Sequence, residues 1–165
     1  MPDFENLGEF STNNDAFVAS FASGGKPMPP ARKALLITCM DARIHPEKAL
    51  GVDIGDIHTV RNAGGRAVDA LRSVTISQQL LGTTEIYVVH HTDCGMVTFS
   101  TPQLQQIVKE KLGHEDHTHY HEFSDLEQSV RDDVKLLRES PLVIPGTPIK
   151  GGIYDVNSGK ITWLD

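Results

Sequence analysis

The chain contains two cysteines, and each follows an apolar run of the kind that forms a buried strand. Cys39 ends the first run, and His91 and Cys94 follow a second one further along the chain. Because the carboxyl ends of adjacent parallel strands meet at one edge of a sheet, these three side chains are expected to lie together. Two thiolates and one imidazole with a free fourth position are typical of catalytic zinc. The alternative is that both cysteines are ordinary buried thiols, since free cysteine is among the most buried residue types.

An acid and a base follow the first cysteine closely. Asp41 and Arg43 lie two and four residues after Cys39. If the two side chains pair, the arginine keeps the carboxylate ionised and aims it at the free metal position. The alternative is an ordinary surface ion pair, which is usually worth less than about 1 kcal/mol. Asp41 and Arg43 are therefore the candidate catalytic residues.

A glycine turn lies between the two cysteines in the chain. Gly64 and Gly65 follow a predicted strand at residues 57–60 and precede a helical pattern that begins at Arg66. Their backbone N–H groups are candidate donors to a substrate or to a developing oxyanion. The alternative is that the glycines only allow a tight turn before the helix.

Strands and helices alternate along the sequence. Five strands are predicted. The first ends at Cys39, the second covers residues 57–60 and the third begins at Glu85. The last two cover residues 149–156 and 161–163. Helices are predicted at residues 47–50, 66–81, 101–112 and 124–137, with Thr101 and Ser124 as N-caps of the last two. This alternation predicts an α/β fold with a mostly parallel central sheet flanked by helices. We expect about four parallel strands plus a C-terminal edge strand.

The first thirty residues are expected to be peripheral to a single domain that spans residues 1–165. Phe17, Val18 and Phe21 have helical spacing, and a helix is predicted to begin near Asn13 or Asn14. Residues 26–30 contain three prolines and form an extended connector, since successive prolines cannot continue a helix. A helix that is detached in this way is expected to lie against another subunit.

Composition excludes several classes of partner. The 165 residues carry a net charge of -7, which disfavours nucleic acid and anionic membranes because both attract basic surfaces. No apolar run approaches the roughly 20 residues of a membrane-spanning helix. The segment before Lys26 contains acids and no Lys or Arg, which argues against a secretory or mitochondrial presequence and favours the cytoplasm. Two cysteines in such a chain favour a metal or catalytic use over a structural disulfide.

Two spaced motifs together point to a known family. Cys39-x-Asp41-x-Arg43 followed by His91-x-x-Cys94 resembles the signature of the β-class carbonic anhydrases. The turn at residues 61–64 (RNAG) is similar to the glycine loop of that family. The resemblance covers residues 34–99, and the short chain and the context around Cys94 are most similar to the short microbial branch, which includes carbonyl sulfide hydrolase-like members.

The resemblance implies a zinc enzyme with Cys39, His91 and Cys94 as ligands and Asp41-Arg43 as the catalytic dyad. Its reaction would be the reversible hydration of CO2 to bicarbonate, in which metal-bound hydroxide attacks a small linear electrophile. The alternative on the same site is carbonyl sulfide hydrolysis, which releases hydrogen sulfide and CO2. The resemblance also implies a homodimer or a dimer of dimers.

Two further interpretations remain open. A thiol redox protein would use both cysteines, but the sequence contains no C-x-x-C motif. A non-enzymatic phosphate- or nucleotide-binding module would use the turn at residues 61–65, but neither G-x-G-x-x-G nor G-x-x-x-x-G-K-[ST] is present. Four histidines between residues 114 and 121 are predicted to lie in a solvated loop, with adventitious metal binding or proton transfer as the alternative.

Overall fold

The computed structural model describes residues 4–165, and the order of its strands and core helices is the predicted one. The helices are α1 (Leu7–Ser20), α2 (Pro46–Leu50), α3 (Ala67–Leu81), α4 (Thr101–Leu112) and α5 (Leu126–Glu139). The strands are β1 (Ala34–Cys39), β2 (Ile57–Asn62), β3 (Glu85–His91), β4 (Ile149–Tyr154) and β5 (Ile161–Trp163). Within residues 4–165, no helix combines the length and the hydropathy needed to span a membrane.

The five strands form one sheet in the order β2-β1-β3-β4-β5. All neighbouring pairs are parallel except β4 and β5, which confirms the predicted sheet of four parallel strands plus a C-terminal edge strand. All six residues of β1 are buried between its two neighbours. The register pairs Cys39 with Asn62 of β2 and Thr38 with Val89 of β3. The carboxyl ends of β1, β2 and β3 therefore meet at one edge, where ligands bind in open parallel sheets.

Helices α3 and α5 contribute to one apolar core with the sheet. The buried members of this core are Leu35, Ile37, Ala67, Ala70, Val74, Ile86, Val88, Val130, Val134, Leu137, Val143 and Ile149. The three α5 residues in this set, Val130, Val134 and Leu137, have the spacing of one helix face. Gly151 on β4 allows the helix to approach, since an added Cβ would lie only 2.6 Å from Cγ1 of Val130.

The helix N-caps differ from the predicted ones. The cap of α4 is Ser100 rather than Thr101, because the Gln103 side chain accepts a hydrogen bond from the Ser100 N–H at 2.8 Å. The cap of α5 is Asp125 rather than Ser124, because the Asp125 carboxylate accepts from the Gln128 N–H at 2.9 Å. In both helices the N-cap is the residue next to the predicted one, and sequence patterns locate helix ends only to within a few residues.

Helix α1 begins earlier than predicted and is not buried against the rest of the chain. It starts at Leu7, not near Asn13 or Asn14, and none of its residues is buried. Phe10 and Phe17 are both more than half exposed. The predicted peripheral segment at residues 1–30 includes residues 1–3, which lie outside the described part of the chain. That a single domain spans residues 1–165 stays a prediction.

Candidate metal centre

The three candidate ligands meet at the predicted edge of the sheet. Cys39 is the last residue of β1, His91 is the last residue of β3, and Cys94 lies in the turn that follows. One sulfur or nitrogen atom from each lies within 4.8 Å of the other two, and all three side chains are buried. Within residues 4–165 no other cluster of three such side chains has this geometry. The sequence expectation that the two strand ends bring these residues together is confirmed.

His91 presents one ring nitrogen to the centre. Its Nδ1–H donates to the carbonyl oxygen of Thr92 at 2.9 Å, which leaves a lone pair on Nε2. Among residues 4–165, Nε2 of His91 is the single buried side-chain nitrogen or oxygen that lacks a hydrogen-bond partner. Leaving such a group unpaired costs about 1–3 kcal/mol. This orientation therefore favours binding of a cation that accepts the lone pair of Nε2.

Backbone N–H groups surround the two sulfurs. The N–H groups of Asp41 and Gly64 donate to the Cys39 sulfur, and the N–H of Met96 donates to the Cys94 sulfur. The hydrogen bond from Cys94 lowers the pKa of Cys39, and the same bond raises the pKa of Cys94, because the buried pair retains one proton between them. A divalent cation would favour loss of that remaining proton, since a coordinating thiol is deprotonated.

Asp41 and Arg43 form the predicted pair beside the centre. The guanidinium Nε and Nη2 of Arg43 donate to Oδ1 and Oδ2 of Asp41 at 3.0 and 2.7 Å. The Arg43 side chain, followed by the Arg43 backbone N–H, lowers the pKa of Asp41 far below its ordinary value. Oδ2 of Asp41 lies 3.8 Å from Nε2 of His91. An ionised carboxylate therefore stands next to the position that the three candidate ligands surround.

Two neighbours of this pair were not identified from the sequence. Arg61 of β2 donates to the carbonyl oxygens of Cys39 and Asp41 at 3.0 and 2.7 Å, which fixes the chain after β1. Asp93 accepts from Arg43 through both its carboxylate and its backbone oxygen. Both residues lie inside the quoted motifs, but their spacing does not show which partner each one contacts.

Gly64 and Gly65 form a turn that packs on the end of β1. Both have positive φ, at 77° and 71°. An added Cβ at Gly65 would lie 2.9 Å from the backbone nitrogen of Cys39, and one at Gly64 would lie 2.7 Å from Cγ of Met96. Close approach to the metal centre therefore requires glycine here. The Gly64 N–H is directed to the Cys39 sulfur. A substrate or oxyanion role for the two glycines stays a prediction.

A buried polar network supports this turn from behind. Nε2 of His90 donates to the Gly65 carbonyl oxygen at 3.2 Å and lies 3.2 Å from the carboxylate of Asp133. Asp133 of α5 also accepts from Nη2 of Arg66 and from the Ala67 N–H, each at 2.9 Å. His90 therefore hydrogen-bonds behind the centre and does not belong to the cluster of candidate ligands. The sequence contains no pattern that pairs residues so far apart.

An open, mostly apolar pocket of about 410 Å3 adjoins the two sulfurs. Gly64, a candidate from the sequence, lines it, and the wall residues that the sequence left unassigned are Met40, Ala63, Gly95, Met96, Phe99, Leu104 and Tyr120. Asp41 also lines the pocket, so the carboxylate and the candidate metal position share one small-molecule cavity. The His114–His121 loop contributes only Tyr120 to this wall.

Comparison with known proteins agrees with this geometry. A family profile described as carbonic anhydrase matches residues 34–161, which is more than half of the chain. The chain is also 35% identical over 154 residues to β-carbonic anhydrase 1 of Mycobacterium tuberculosis, covering 93% of this chain and 94% of that protein. The chain belongs to the β-carbonic anhydrase family.

Other members of the β-carbonic anhydrase family show how far the similarity extends. A solved structure of carbonic anhydrase from Glaciozyma antarctica is 43% identical and superposes with a TM-score of 0.94 over 99% of this chain and all of that one. A carbon disulfide hydrolase of Saccharolobus solfataricus is 33% identical over 161 residues, covering 82% of this chain and 79% of that protein. The chain is therefore an enzyme of a family that includes carbonic anhydrases and carbon disulfide hydrolases, and its Cys-His-Cys group has the geometry to hold a metal ion.

Proposed function

We propose that the protein catalyses the reversible hydration of CO2 to bicarbonate at a zinc centre held by Cys39, His91 and Cys94. The observation that carries this proposal is the convergence of these three donors within 4.8 Å, next to the Asp41-Arg43 pair. The similarity of nearly the whole chain to proteins named β-carbonic anhydrase supports the same reaction.

The donor set fits zinc. Two sulfurs and one imidazole nitrogen suit a borderline-soft divalent ion with tetrahedral geometry, and a three-residue set leaves the fourth position for water or substrate. The unpartnered Nε2 of His91 is the nitrogen that would complete this set. When bound, zinc supplies Lewis acidity that generates a nucleophile from water near neutral pH, as established for carbonic anhydrases with three histidine ligands.

Asp41 orients the water that reacts. Its carboxylate is ionised because Arg43 donates to both of its oxygens, so it can only accept a hydrogen bond. From its place 3.8 Å from Nε2 of His91, it would accept a hydrogen bond from water at the centre and leave a lone pair of that water directed toward the pocket. Arg43 keeps this acceptor charged and in place.

The pocket selects a small apolar electrophile. Its wall is mainly carbon and sulfur, so it solvates CO2 without offering competing hydrogen bonds to a neutral linear molecule. Carbonyl sulfide has the same shape, and its hydrolysis to hydrogen sulfide and CO2 at the same centre is the second candidate function. The 33% identity to a carbon disulfide hydrolase favours keeping this alternative, as do the polarisable thioethers of Met40 and Met96 in the wall.

We also propose that the protein assembles as a homodimer or a dimer of dimers. The support is α1, whose residues are all unburied and whose Phe10 and Phe17 are exposed in one chain. Exposed aromatic side chains on a detached helix are typical of a surface that another subunit covers.

A cytoplasmic location is a further part of the proposal, because two unpaired thiols that serve as metal ligands suit a reducing compartment.

One preparation tests the reaction and the metal together. Zinc content is measured by elemental analysis, and stopped-flow CO2 hydration is measured beside sulfide release from carbonyl sulfide. We expect about one zinc per chain and a higher kcat/KM for CO2 than for carbonyl sulfide. Cys94→Ser, which removes a soft ligand, is expected to lose zinc, whereas His45→Gln at an exposed histidine is expected to keep it.

Three results would contradict parts of this proposal. A higher kcat/KM for carbonyl sulfide would establish the second candidate as the main activity. A metal-free protein with unchanged secondary structure and neither activity would reject the enzyme mechanism and favour a non-enzymatic binding module. Retention of zinc by Cys94→Ser would reject the ligand set.

A further inference from the structure

Arg43 contacts a second carboxylate besides its partner in the dyad. Its Nη1 donates to Oδ2 of Asp93 at 2.6 Å, and its Nη2 donates to the Asp93 carbonyl oxygen at 2.9 Å. With the two bonds to Asp41, these contacts engage four N–H groups of one guanidinium. The arginine therefore bridges the loop after β1 and the turn after β3.

Asp93 lies between two of the candidate ligands, His91 and Cys94, and has an unusual backbone conformation. Its φ is +55°, a region that non-glycine residues seldom adopt and in which Asp and Asn are enriched. This conformation turns both the carboxylate and the carbonyl of Asp93 toward Arg43. The contact therefore ties the dyad to the same turn that presents the histidine and the second sulfur.

We propose that Asp93 is a positioning residue that anchors Arg43, and through it Asp41, relative to the metal-binding turn. The Asp41-Arg43 pair is local, since the residues are two positions apart, so its own hydrogen bonds do not fix either side chain relative to the turn after β3. A swing of Asp41 toward His91 Nε2, now 3.8 Å away, would place its carboxylate in the free metal position and exclude water. Anchoring by Asp93 holds the carboxylate beside that position.

The contact between Asp93 and Arg43 is exposed, so its removal is expected to change kcat/KM only modestly. The Asp93 and Arg43 side chains are 77% and 47% exposed in one chain, so their attraction is screened by water. An exposed ion pair contributes up to about 1 kcal/mol, which corresponds to about a fivefold change in the population of the anchored arrangement. The expected change in kcat/KM is of that size, well below the loss from removing Asp41 itself.

The backbone conformation dictates the variants for the test. Asp93→Gly removes the carboxylate and tolerates positive φ, whereas Asp93→Asn also tolerates positive φ and keeps an oxygen acceptor for Nη1. Alanine is unsuitable because it would add backbone strain. The matched control is Glu127→Gln, which removes an exposed carboxylate 2.7 Å from Arg131 on α5, outside the centre.

The first measurement is the 1H–15N NMR signal of the Arg43 guanidinium Nε–H, assigned with Arg43→Lys and recorded on protein with measured zinc content. We expect a sharp, slowly exchanging signal in the native protein and in Glu127→Gln, an intermediate one in Asp93→Asn, and a broadened one in Asp93→Gly. An unchanged signal in Asp93→Gly would overturn the proposal.

The second measurement is steady-state kinetics, which rests on the proposed function. We expect kcat/KM for CO2 hydration to fall about fivefold in Asp93→Gly, mainly through kcat, and to recover partly in Asp93→Asn. A mobile Arg43 with unchanged kinetics would also overturn the proposal. A native protein without CO2 hydration would reject the proposed function, while the NMR comparison would still decide the anchoring of Arg43.

Discussion

Oδ2 of Asp41 lies 3.8 Å from Nε2 of His91, the ring nitrogen that faces the candidate metal position. One residue comes from the loop after β1 and the other ends β3, so their distance depends on the parallel pairing of these two strands. The carboxylate is close enough to contact a molecule at the centre, yet Arg43 occupies both of its oxygens. This relationship places an ionised, hydrogen-bond-accepting carboxylate beside the candidate metal ligands.

Asp41→Asn tests the role of the charge at this position. The variant is expected to retain zinc and lose at least about 100-fold in kcat/KM for CO2 hydration, because the amide no longer acts as a charged acceptor. Stopped-flow kinetics with parallel zinc analysis checks both quantities. Asp69→Asn, at an exposed acid on α3, serves as the control and is expected to behave as the native protein. Turnover of Asp41→Asn close to the native value would show that the dyad does not act in the reaction.

Gly65→Ala tests the packing of the glycine turn on the centre. Gly113→Ala is a matched control, since Gly113 has a similar φ of +66° but an added Cβ there would meet no atom within 4 Å. Both variants incur the cost of a left-handed alanine, about 1–2 kcal/mol. Gly65→Ala is expected to lose about 2 kcal/mol more, because its Cβ would press on the backbone of Cys39.

Chemical denaturation gives the free energy of unfolding for the two glycine variants, and zinc titration gives their metal affinity. We expect weaker zinc binding only in Gly65→Ala. Equal destabilisation of both variants would mean that the turn can move away from Cys39 without cost.

Asp133→Asn tests the buried network behind the turn. Burial raises the pKa of Asp133, but hydrogen bonds from His90, Arg66 and the Ala67 N–H outweigh it and keep the pKa below its ordinary value of 3.8. The ionised group therefore stabilises the fold above about pH 4, and this stabilisation is lost as pH falls through the lowered pKa. Removing the charge is expected to cost about 3 kcal/mol at pH 7, since Arg66 then loses its buried partner.

Unfolding by urea at pH 7 and at pH 3 measures this dependence. The difference between native protein and Asp133→Asn is expected to shrink at the lower pH. Asp132→Asn, at the exposed neighbouring acid on α5, is expected to cost less than about 0.5 kcal/mol at either pH. A pH-independent difference for Asp133→Asn would show that the carboxylate stabilises by packing and not by charge.

The sequence by itself determined the sheet and the residues that meet at its carboxyl edge. Apolar runs that stop at Cys39 and near His91 predict parallel strand ends, and short spacing places Asp41 and Arg43 beside the first of them. These inferences succeeded because they depend on local periodicity and on the rule that parallel strands align their carboxyl ends. The N-caps of α4 and α5 were each misplaced by one residue, because neighbouring Ser, Thr and Asp compete for the same cap, and α1 begins at Leu7 and not near Asn13 or Asn14.

Tertiary structure alone decided which distant residues support the centre. Asp133 reaches Gly65 through His90, and Phe99, Leu104 and Tyr120 form the pocket wall, although these residues come from separate helices and loops. The bridge from Arg43 to Asp93 likewise depends on how the turn after β3 faces the loop after β1. Side-chain hydrogen bonds and apolar contacts between distant segments have no period along the chain, so only the packed fold specifies them.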